Sequence, residues 1–458
     1  DFSGVLVSAQ LDHNSIASAR VLLNRFVSFY SNASYTYDDK YVLSGSIRWD
    51  RSNLWGTNSK YQNKPLWSVG GSWNIYKEKF FQADFVDMLK LRASYGIGGN
   101  IGRNTAPYLI ASYYDSSLVD GMAGSVNTPP NKDIRWEKTT TVNVGVDFAL
   151  FRHRLSGTIE YYNKYSVDLL AAINGSPTQG FGYTTLMTNN GKMVNRGVEI
   201  TLSGEIIRQK DFSWNASLLY AFNRNKVKHI SVQPSLWDSR ISMPTSYPMV
   251  GKPLYGIYAY KWAGLNENGD PQVYDAENNV TSGPARDYHA LVYCGTTVPI
   301  HNASLTNVLR YKGFEFSAML ILDAGHKLRS SNIPSINMSN GRITSTAKGI
   351  VDRWTQPGDV TDVPRLLFSN DTENFNTHRT ELYRYSDLFV YDASNIRLSN
   401  ISLAYRVPAH WCKKISLSGA RLQFNVENVA TFAFDSKANY DLGGKVKPNY
   451  VWGLYLNF

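Results

Sequence analysis

Cysteine is scarce in this sequence. Cys294 and Cys412 are its only two cysteines, and neither stands in a CxxC or closely spaced Cys/His pattern. A zinc site or a disulfide framework needs several cysteines at short spacing, so we expect neither. A single Cys294–Cys412 bridge stays open, and two unpaired thiols are the simpler expectation.

Long hydrophobic runs are also missing. No stretch approaches the ~18 apolar residues of a membrane-spanning helix, and the mean hydropathy is −0.31, which excludes a helical membrane protein. The opening residues DFSGVLVSAQ contain neither the basic segment nor the long apolar segment of a secretory leader. For an exported protein, we expect the chain to be mature or to lack its beginning.

Clustered positive charge, the usual mark of nucleic-acid binding, is absent. The chain has 47 Lys+Arg against 37 Asp+Glu, a net charge of +10, but its basic residues are scattered. We therefore expect no nucleic-acid partner. A positive surface of this kind suits anionic lipopolysaccharide or anionic solutes equally well.

The patterns of catalytic and metal sites are missing as well. All eight histidines fall in predicted loops or turns and no GxSxG-like elbow occurs, whereas catalysis needs a nucleophile and a base held together. We expect no enzyme, no catalytic residues and no cofactor. Oxygen-bearing side chains alternate at Asn266, Asn268 and Asp270, but the bidentate Glu of a calcium loop does not follow. Asn268-Gly269 predicts a hairpin turn instead of a metal site.

What the chain does contain is alternation of apolar and polar residues. Aromatic residues make up 13% of the sequence, and the terminal NYVWGLYLNF has an apolar side chain at every second position. The pattern recurs in about thirteen segments of ~9–12 residues, the length of a strand that crosses a bilayer at a tilt. They are 26–37, 40–50, 66–76, 89–97, 139–150, 154–164, 196–206, 213–223, 303–311, 313–323, 395–407, 421–429 and 450–458.

The connections between these segments fall into two groups. If the last strand of a barrel runs toward the periplasm, the periplasmic connections are short: 38–39, 77–88, 151–153, 207–212, residue 312 and 408–420. Those on the other side are mostly long: 51–65, 98–138, 165–195, 224–302, 324–394 and 430–449. This asymmetry is typical of an outer-membrane barrel. The long loops, rich in Asn, Ser, Gly, Pro and aromatic residues, predict a folded extracellular cap or binding surface.

A series of motifs, in order along the chain, resembles the SusC/RagA-type TonB-dependent transporters of the Bacteroidetes outer membrane. GLYLNF at the end and FNVENVATF (424–432) are similar to late segments of that family. The earlier matches are YTYDDKYVLSGSIRWDRSNLWG (35–56), LKLRASYGIGGN (89–100), DIRWEKTTTVNVGVDF (133–148), NNGKMVNRGVEI (189–200), GKPLYGIYAYKWAGLNENGDPQVYD (251–275) and DASNIRLSNISLAYRVP (392–408).

The resemblance implies an all-β fold, an antiparallel transmembrane β-barrel of about 22 strands. Residues 1–458 would supply the last thirteen or fourteen strands, with residues 1–10 as the candidate fourteenth. The family's plug domain, TonB box and N-terminal extension are expected outside this chain. We infer that those parts and the remaining strands belong to another chain, a cleaved segment or a further region of the same transporter.

The implied function is active import of oligosaccharides or peptides. A SusD-like lipoprotein lid would capture the cargo, and TonB–ExbB–ExbD would act through the N-terminal region. Further contacts would be the rest of the plug and barrel, lipopolysaccharide and membrane lipid. The alternatives are a passive porin or an adhesin, which share the alternation but not the motifs, and, less favoured, a barrel enzyme. A plug and TonB box upstream would distinguish the importer.

Candidate functional residues follow from the same reasoning. The loop aromatics could stack on sugar rings, although belts, loop packing and lid contact use the same residue types; they are Trp237, Tyr255, Tyr258, Tyr260, Trp262 and Trp354. Charged residues on the polar phase are expected to line a water-filled lumen; they are Arg48, Arg92, Glu160 and Glu199. The resemblance assigns a barrel-assembly signal to Gly453, Leu456 and Phe458.

Overall fold

The computed structural model describes most of the chain. The described residues are 25–54, 56–58, 61, 64–102, 107–119, 121–175, 178, 185–234, 239–283, 287–338, 347–368, 377–442 and 447–458. Trp237 and the candidate strand at 1–10 lie outside these ranges.

One antiparallel sheet of thirteen strands dominates this part of the chain, and we call it the wall. Each strand pairs with the wall strand that precedes it in the sequence. In sheet order the strands are β1 (Phe26–Tyr37), β2 (Tyr41–Ser52), β3 (Leu66–Asn74), β4 (Val86–Asn100), β7 (Glu137–Leu150), β8 (Leu155–Asn174), β9 (Thr185–Arg208), β10 (Phe212–His229), β16 (His301–Tyr311), β17 (Phe314–Ala324), β22 (Asn395–Arg406), β23 (Gly419–Ala433) and β24 (Asn449–Asn457). All thirteen predicted segments are confirmed as strands.

The wall has a turn end and a loop end. Connections at the turn end are short, the longest being 75–85 and 407–418, whereas those at the loop end reach from 230 to 300 and from 325 to 394. Asp38 and Asp39 form the first turn with φ of 50° and 54°, and Lys40 N donates to Tyr37 O across it at 3.0 Å; Asp and Asn tolerate this left-handed conformation better than most residues. The predicted asymmetry of the connections is confirmed.

One predicted loop was wrong. Residues 165–195 were expected to be a connection, but β8 continues to Asn174 and β9 begins at Thr185, so that only 175–184 connects them. The two strands stay paired across a register shift near Asp168, which has a φ of 57°. The apolar–polar alternation is weak in these strand tips, because they extend past the part of the wall where one face meets an apolar environment, which we call the apolar band.

The two faces of the wall differ as the alternation predicts. Large apolar side chains are exposed on the outer face, for example Leu43 (60%), Leu454 (62%) and Trp452 (78%). Serines, asparagines and charged side chains occupy the opposite, inner face. Strand β22 also contains a bulge, since its register shifts between Leu398 and Asn400 against both of its neighbours.

The long loops fold into small elements at the loop end. These are a hairpin of β5 (Ile110–Ser116) and β6 (Gly121–Thr128), the pairs β11 (Gly256–Tyr260) with β15 (Leu291–Thr296), β18 (Lys327–Arg329) with β21 (Val390–Asp392) and β19 (Asn337–Met338) with β20 (Leu367–Phe368), and the sheet β12 (Trp262–Leu265), β13 (Pro271–Tyr274) and β14 (Val280–Thr281). Short helices at the loop end are α1 (Ser239–Ser242), α2 (Thr377–Arg384) and α4 (Asn439–Leu442), whereas α3 (Ala409–Lys413) lies in the turn-end connection 407–418. Among the described residues, no helix is long and apolar enough to span a membrane.

The connections 230–300 and 325–394 share one buried core, and we call them together the cap. Its centre comprises Tyr258, Tyr260, Val273, Leu291 and Leu382, with a second cluster of Ile336, Tyr383 and Phe389 beside it. The predicted folded cap is therefore confirmed. Cys294 lies in the cap, whereas Cys412 is buried in α3 at the turn end, and both thiols are free.

Candidate functional site

A continuous row of side chains crosses the inner face of the wall. Successive register partners in this row are Ser72, Arg92, Gly145, Glu160, Glu199, Ala221, Asn302, Asp323 and Asn395. Since neighbouring strands lie ~4.8 Å apart, the row spans roughly 40 Å of wall. Three of the four predicted lumen residues, Arg92, Glu160 and Glu199, belong to it.

Arg92 joins three strands in this row. Its guanidinium donates to Glu160 on β8 at 2.8 Å and to Asp147 on β7 at 3.3 Å, while Asn143 also donates to the Glu160 carboxylate. Arg92 can reach across β7 because the intervening residue is Gly145, where a Cβ would lie only 3.1 Å from the guanidinium carbon. A side chain at residue 145 would therefore crowd this ionic bridge.

Glu199 and Asp323 complete the acidic part of the row. Asp323 accepts from Arg397 at 3.0 Å. Glu199 is exposed, lies directly opposite Glu160 in the register and has no ion pair among the described residues. Like charges on opposed positions repel, and Glu160 and Glu199 form such a pair. Because Arg92 neutralises Glu160, this repulsion is reduced. The Glu199 carboxylate remains accessible to water or solute.

Arg48 lies on the same face but not in the row. It pairs with Tyr30 and Leu66 in the register, nearer the loop end, and donates to Asp50 at 2.8 Å and to Ser28 at 3.2 Å. The structure therefore brings Arg92, Glu160 and Glu199 together and leaves Arg48 separate.

A cavity of about 340 Å³ lies where the strand tips meet the cap. Glu137, Met193 and Val227 line it from the inner face, and residues 245–254 of the cap cover it. Most of its lining is apolar, with Lys192 and His229 at its polar side. Both carboxylate oxygens of Glu137 already accept hydrogen bonds, from Leu170 N and from Asn100 Nδ2, at 2.8 Å each. A small solute of mixed polarity fits such a space.

The predicted loop aromatics occupy different environments. Tyr258 and Tyr260 are only 1% and 0% exposed, and the guanidinium of Arg240 lies 5.8 Å from the ring centre of Tyr258. Neither ring is open to a solute in this conformation. Tyr255, by contrast, is 46% exposed.

The two cap tryptophans that the structure describes, Trp262 and Trp354, are half-buried. Trp262 donates from Nε1 to Asp362 at 2.9 Å and packs against Tyr383 at a ring distance of 5.8 Å. Trp354 covers the turn between β12 and β13, where a Cβ on Gly269 would collide with its ring. Both side chains therefore pack within the cap and stay partly exposed.

The Asn266–Asp270 segment forms the predicted hairpin turn. Asn266 accepts from the backbone of Asn268 and Asp270 through Oδ1 at 2.9 Å, and Gly269 has a φ of +75°. The Asp270 carboxylate accepts from Arg365 at 2.8 Å and from Arg379 at 3.1 Å. Arg379 is 2% exposed, and its remaining donors reach Ile336 O, Asn337 Oδ1 and Arg365 O. Asp270 is thus the charged centre of the cap.

Hydrogen bonds from two backbone N–H groups and one guanidinium connect the two halves of the cap. Tyr260 N donates to Tyr385 O at 2.9 Å, and Trp262 N donates to Asp387 Oδ1 at 2.9 Å. Arg329 donates to Tyr258 O at 2.7 Å and to Ser386 O at 3.1 Å. Burial lowers the pKa of Arg329, and these carbonyls compensate part of the lost hydration.

The family of this chain is decided by a match across most of its length. The sequence family described as "TonB dependent receptor-like, beta-barrel" matches residues 9–429. This chain belongs to that family. The family is one of outer-membrane receptors rather than enzymes, consistent with the lack of catalytic patterns in the sequence.

Several curated relatives carry the same family name. TonB-dependent receptor P3 of Formosa agariphila is 27% identical over 93% of this chain and 43% of the relative. TonB-dependent receptor SusC of Bacteroides thetaiotaomicron is 25% identical over 88% of this chain and 40% of SusC. The chain thus spans less than half the length of these TonB-dependent receptors.

A solved transporter shares the fold of this receptor barrel. The structure titled "Structure of the RagAB peptide transporter" matches with a TM-score of 0.75 and 24% identity, covering 95% of this chain and 48% of the other. A second structure, of the RagAB peptide importer in an "open-open" state, gives a TM-score of 0.74 at 24% identity over 95% and 47%. The expected resemblance to the SusC/RagA group is therefore confirmed.

Several residues of the receptor's inner site were not predicted. Asp323 and Arg397 lie on strands found by alternation, and their phase alone would have placed them on the inner face. Lys192, His229 and Glu137 were assigned to loops or strand ends, and no local pattern marks them. They meet only because three strand tips extend past the apolar band and the cap folds over them.

Proposed function

We propose that this chain forms the barrel wall and extracellular cap of a SusC-like TonB-dependent importer of oligosaccharides or peptides. The observation that carries the proposal is the polar row on the inner face, which passes beneath a cap built at the mouth. Family membership, the SusC relative and the RagAB fold support it. A plug and further strands outside these 458 residues belong to the proposed transporter, as do a SusD-like lipoprotein and TonB–ExbB–ExbD.

Within this proposal, the row and the cavity guide cargo. Arg92, Glu160 and Glu199 present hydrogen-bond donors and acceptors to a hydrated solute, and Arg48 does the same nearer the mouth. Tyr255, Trp262 and Trp354 supply partly open ring faces for cargo or for the lid, with Trp237 retained from the sequence as a further candidate. Tyr258 and Tyr260 belong to the buried core of the cap that carries these aromatic side chains.

The test is purification of the native complex from outer membranes in mild detergent, followed by mass spectrometry of every co-purifying polypeptide and small molecule. We expect a plug-bearing segment, a SusD-like lipoprotein and a bound oligosaccharide or peptide. In cells, uptake of that cargo should stop when the proton-motive force is collapsed. Uptake that persists without it, or a purified barrel with no plug and no lipoprotein, would favour a passive porin or an adhesin.

We also propose that Gly453, Leu456 and Phe458 form the signal read during barrel assembly. β24 is an edge strand of the described sheet, and Phe458 is 91% exposed, so its ring is available to an assembly factor. Phe458→Asp should lower the amount of assembled receptor in the outer membrane, measured by heat-modifiable migration and surface labelling. Phe434→Asp, another exposed aromatic (62%) but outside the terminal signal, is the control. Equal assembly of the two variants would contradict the assignment.

A further inference from the structure

The apolar outer face of the wall contains a groove. It has a volume of about 590 Å³ and crosses β1, β2, β3, β4 and β7 near the turn end. Tyr35, Leu43, Leu91 and Val144 rise around it. The groove opens on the face that this family turns toward lipid. It is therefore surrounded by the membrane and is separate from the cargo path.

Two small residues create the groove. Gly71 and Ala93 are register partners, and they lie in one outer row between Leu43 and Val144. The next row toward the turn end consists of large side chains, Tyr41, Trp73 and Leu91. A depression lined by hydrocarbon and closed below by rings has the shape and polarity of an acyl-chain site.

An aromatic girdle marks the turn-end edge of the groove. Tyr37, Tyr41, Trp73 and Phe80 follow one another with ring distances of 6.4, 6.4 and 6.2 Å. Phe80, although in the connection 75–85, contacts a ring of the outer face, so this connection folds against the outside of the wall. Aromatic girdles lie at the level of lipid headgroups.

Charged groups of both signs flank the girdle. They include Asp38, Asp39 and Glu78 as well as Lys40, Lys77 and Lys79. Lys40 Nζ lies 2.7 Å from Asp38 and 3.8 Å from Glu78, and Lys77 Nζ lies 4.0 Å from Asp39. The Asp39 side chain is 84% exposed and that of Asp38 61%. Because acidic and basic groups are interspersed here, they offer partners to both ends of a zwitterion.

We propose that the groove binds one acyl chain of a phospholipid whose zwitterionic phosphoethanolamine headgroup lies on the turn-end charges. The phosphate meets Lys77 and Lys79, the ammonium meets Asp38 and Asp39, and the chain lies over Gly71 and Ala93. A further strand pairing with β1 would extend the sheet in its own plane and would leave the groove open. The site rests on the outer-membrane position of the family and is independent of the proposed cargo.

The test uses the complete receptor complex in lipid nanodiscs and phosphatidylethanolamine carrying a diazirine in one acyl chain. We expect photo-crosslinks in the peptides that contain Leu43, Gly71 and Ala93. Gly71→Leu should reduce crosslinking there about tenfold, because the new side chain takes the place of several methylene groups. A Cβ at residue 71 would meet Val42 O at 3.6 Å, an ordinary contact, so the backbone accommodates the change.

The matched control is Gly45→Leu. Gly45 faces outward on β2, the same strand as Leu43, its Cβ would meet Ser68 O at 3.8 Å, and it is not part of the groove lining. Crosslinking should stay at the wild-type level in this variant. If Gly71→Leu lowers the heat-modifiable folded form, Ala93→Leu replaces it as the filling variant.

Two further comparisons test the acyl-chain site and the headgroup assignment separately. Equal crosslinking in the filling variant and in Gly45→Leu would overturn the acyl-chain site. Equal competition by unlabelled phosphatidylglycerol and phosphatidylethanolamine would overturn the headgroup assignment, whereas about tenfold better competition by phosphatidylethanolamine would support it. Cargo uptake measured in parallel separates this site from the proposed transport, since failure of one leaves the other unaffected.

Discussion

The wall is made of long β-strands and the cap of short strands, short helices and turns, and the two follow different rules. Each wall strand pairs with the wall strand before it, and a period of two residues determines which side chains face outward. The cap joins residues such as Trp262 and Asp387, which are 125 positions apart, and its strands are as short as two residues. Local periodicity therefore specifies the wall, whereas long-range polar contacts specify the cap.

The largest expected effect breaks the cap and spares the wall. Asp270→Ala removes the carboxylate that pairs with Arg365 and Arg379, and an uncompensated buried guanidinium costs about 3–5 kcal/mol. We expect faster proteolysis and hydrogen exchange across the cap. Heat-modifiable migration of the barrel should not change. Asp352→Ala, at an exposed position, is the control, and similar exchange in both variants would show that the clamp does not organise the cap.

A smaller effect is expected when the inner row is broken. Arg92→Ala leaves the half-buried Glu160 and Asp147 without their guanidinium and should lower the free energy of unfolding of the receptor by about 1–2 kcal/mol, between exposed and buried pairs. Denaturant midpoints in detergent measure it. Gly145→Ala should reproduce part of the loss, since its methyl group displaces the Arg92 side chain. No loss in either variant would contradict the bridge.

Acid should weaken the junction between wall and cap. His326, directly after β17, is 9% exposed, and burial lowers its pKa although Asp323 and Asp392 act in the opposite direction. The unfolded histidine takes up a proton near its usual pKa of about 6.5, while the folded one stays neutral. The stability that neutral His326 gives to the folded junction is therefore complete above about pH 6.5 and is lost as the pH falls toward the pKa of the folded state.

The measurement is proteolytic stability of the cap between pH 5 and 8 at constant ionic strength. His326→Gln cannot be protonated and should flatten the pH dependence without abolishing it. A wild-type cap equally stable over the whole range would contradict the assignment to His326.

The smallest effect has the opposite sign. Glu199→Gln removes a charge directly opposed to Glu160 and should stabilise the wall by about 0.2–0.5 kcal/mol. The gain should increase in an Arg92→Ala background, where Glu160 is no longer neutralised. A double-mutant cycle on denaturant midpoints measures this coupling. Purely additive effects would show that Arg92 does not screen the two carboxylates.

The sequence predicted the wall almost completely and the cap only as a folded region. Alternation located every wall strand, but the strand ends were misplaced where both faces of the sheet extend past the apolar band, as in β8 and β9. In the cap, YGIYAY also alternates, yet all five residues of β11 are buried, because other segments cover both of its faces. Its period therefore carried no information about which ring is accessible.

The candidate site was predicted to the same extent. Phase placed Arg92, Glu160 and Glu199 on the inner face, but their shared row depends on the register of consecutive hairpins, which follows from turn geometry. The cavity at the strand tips and the pairing of Asp270 with Arg379 have no local signature. Contacts of this kind become visible only when the loops are folded against one another.

The shared core of the cap also limits how such receptors can be recombined. Asp270 lies in one connection, and its partners Arg365 and Arg379 lie in the other. Grafting a single loop from a relative would therefore leave a charged side chain without its ion-pair partner, in the graft or in the recipient. Functional chimeras must exchange residues 230–300 and 325–394 as one cassette. Diversification of the mouth by loop shuffling is accordingly confined to paired exchanges.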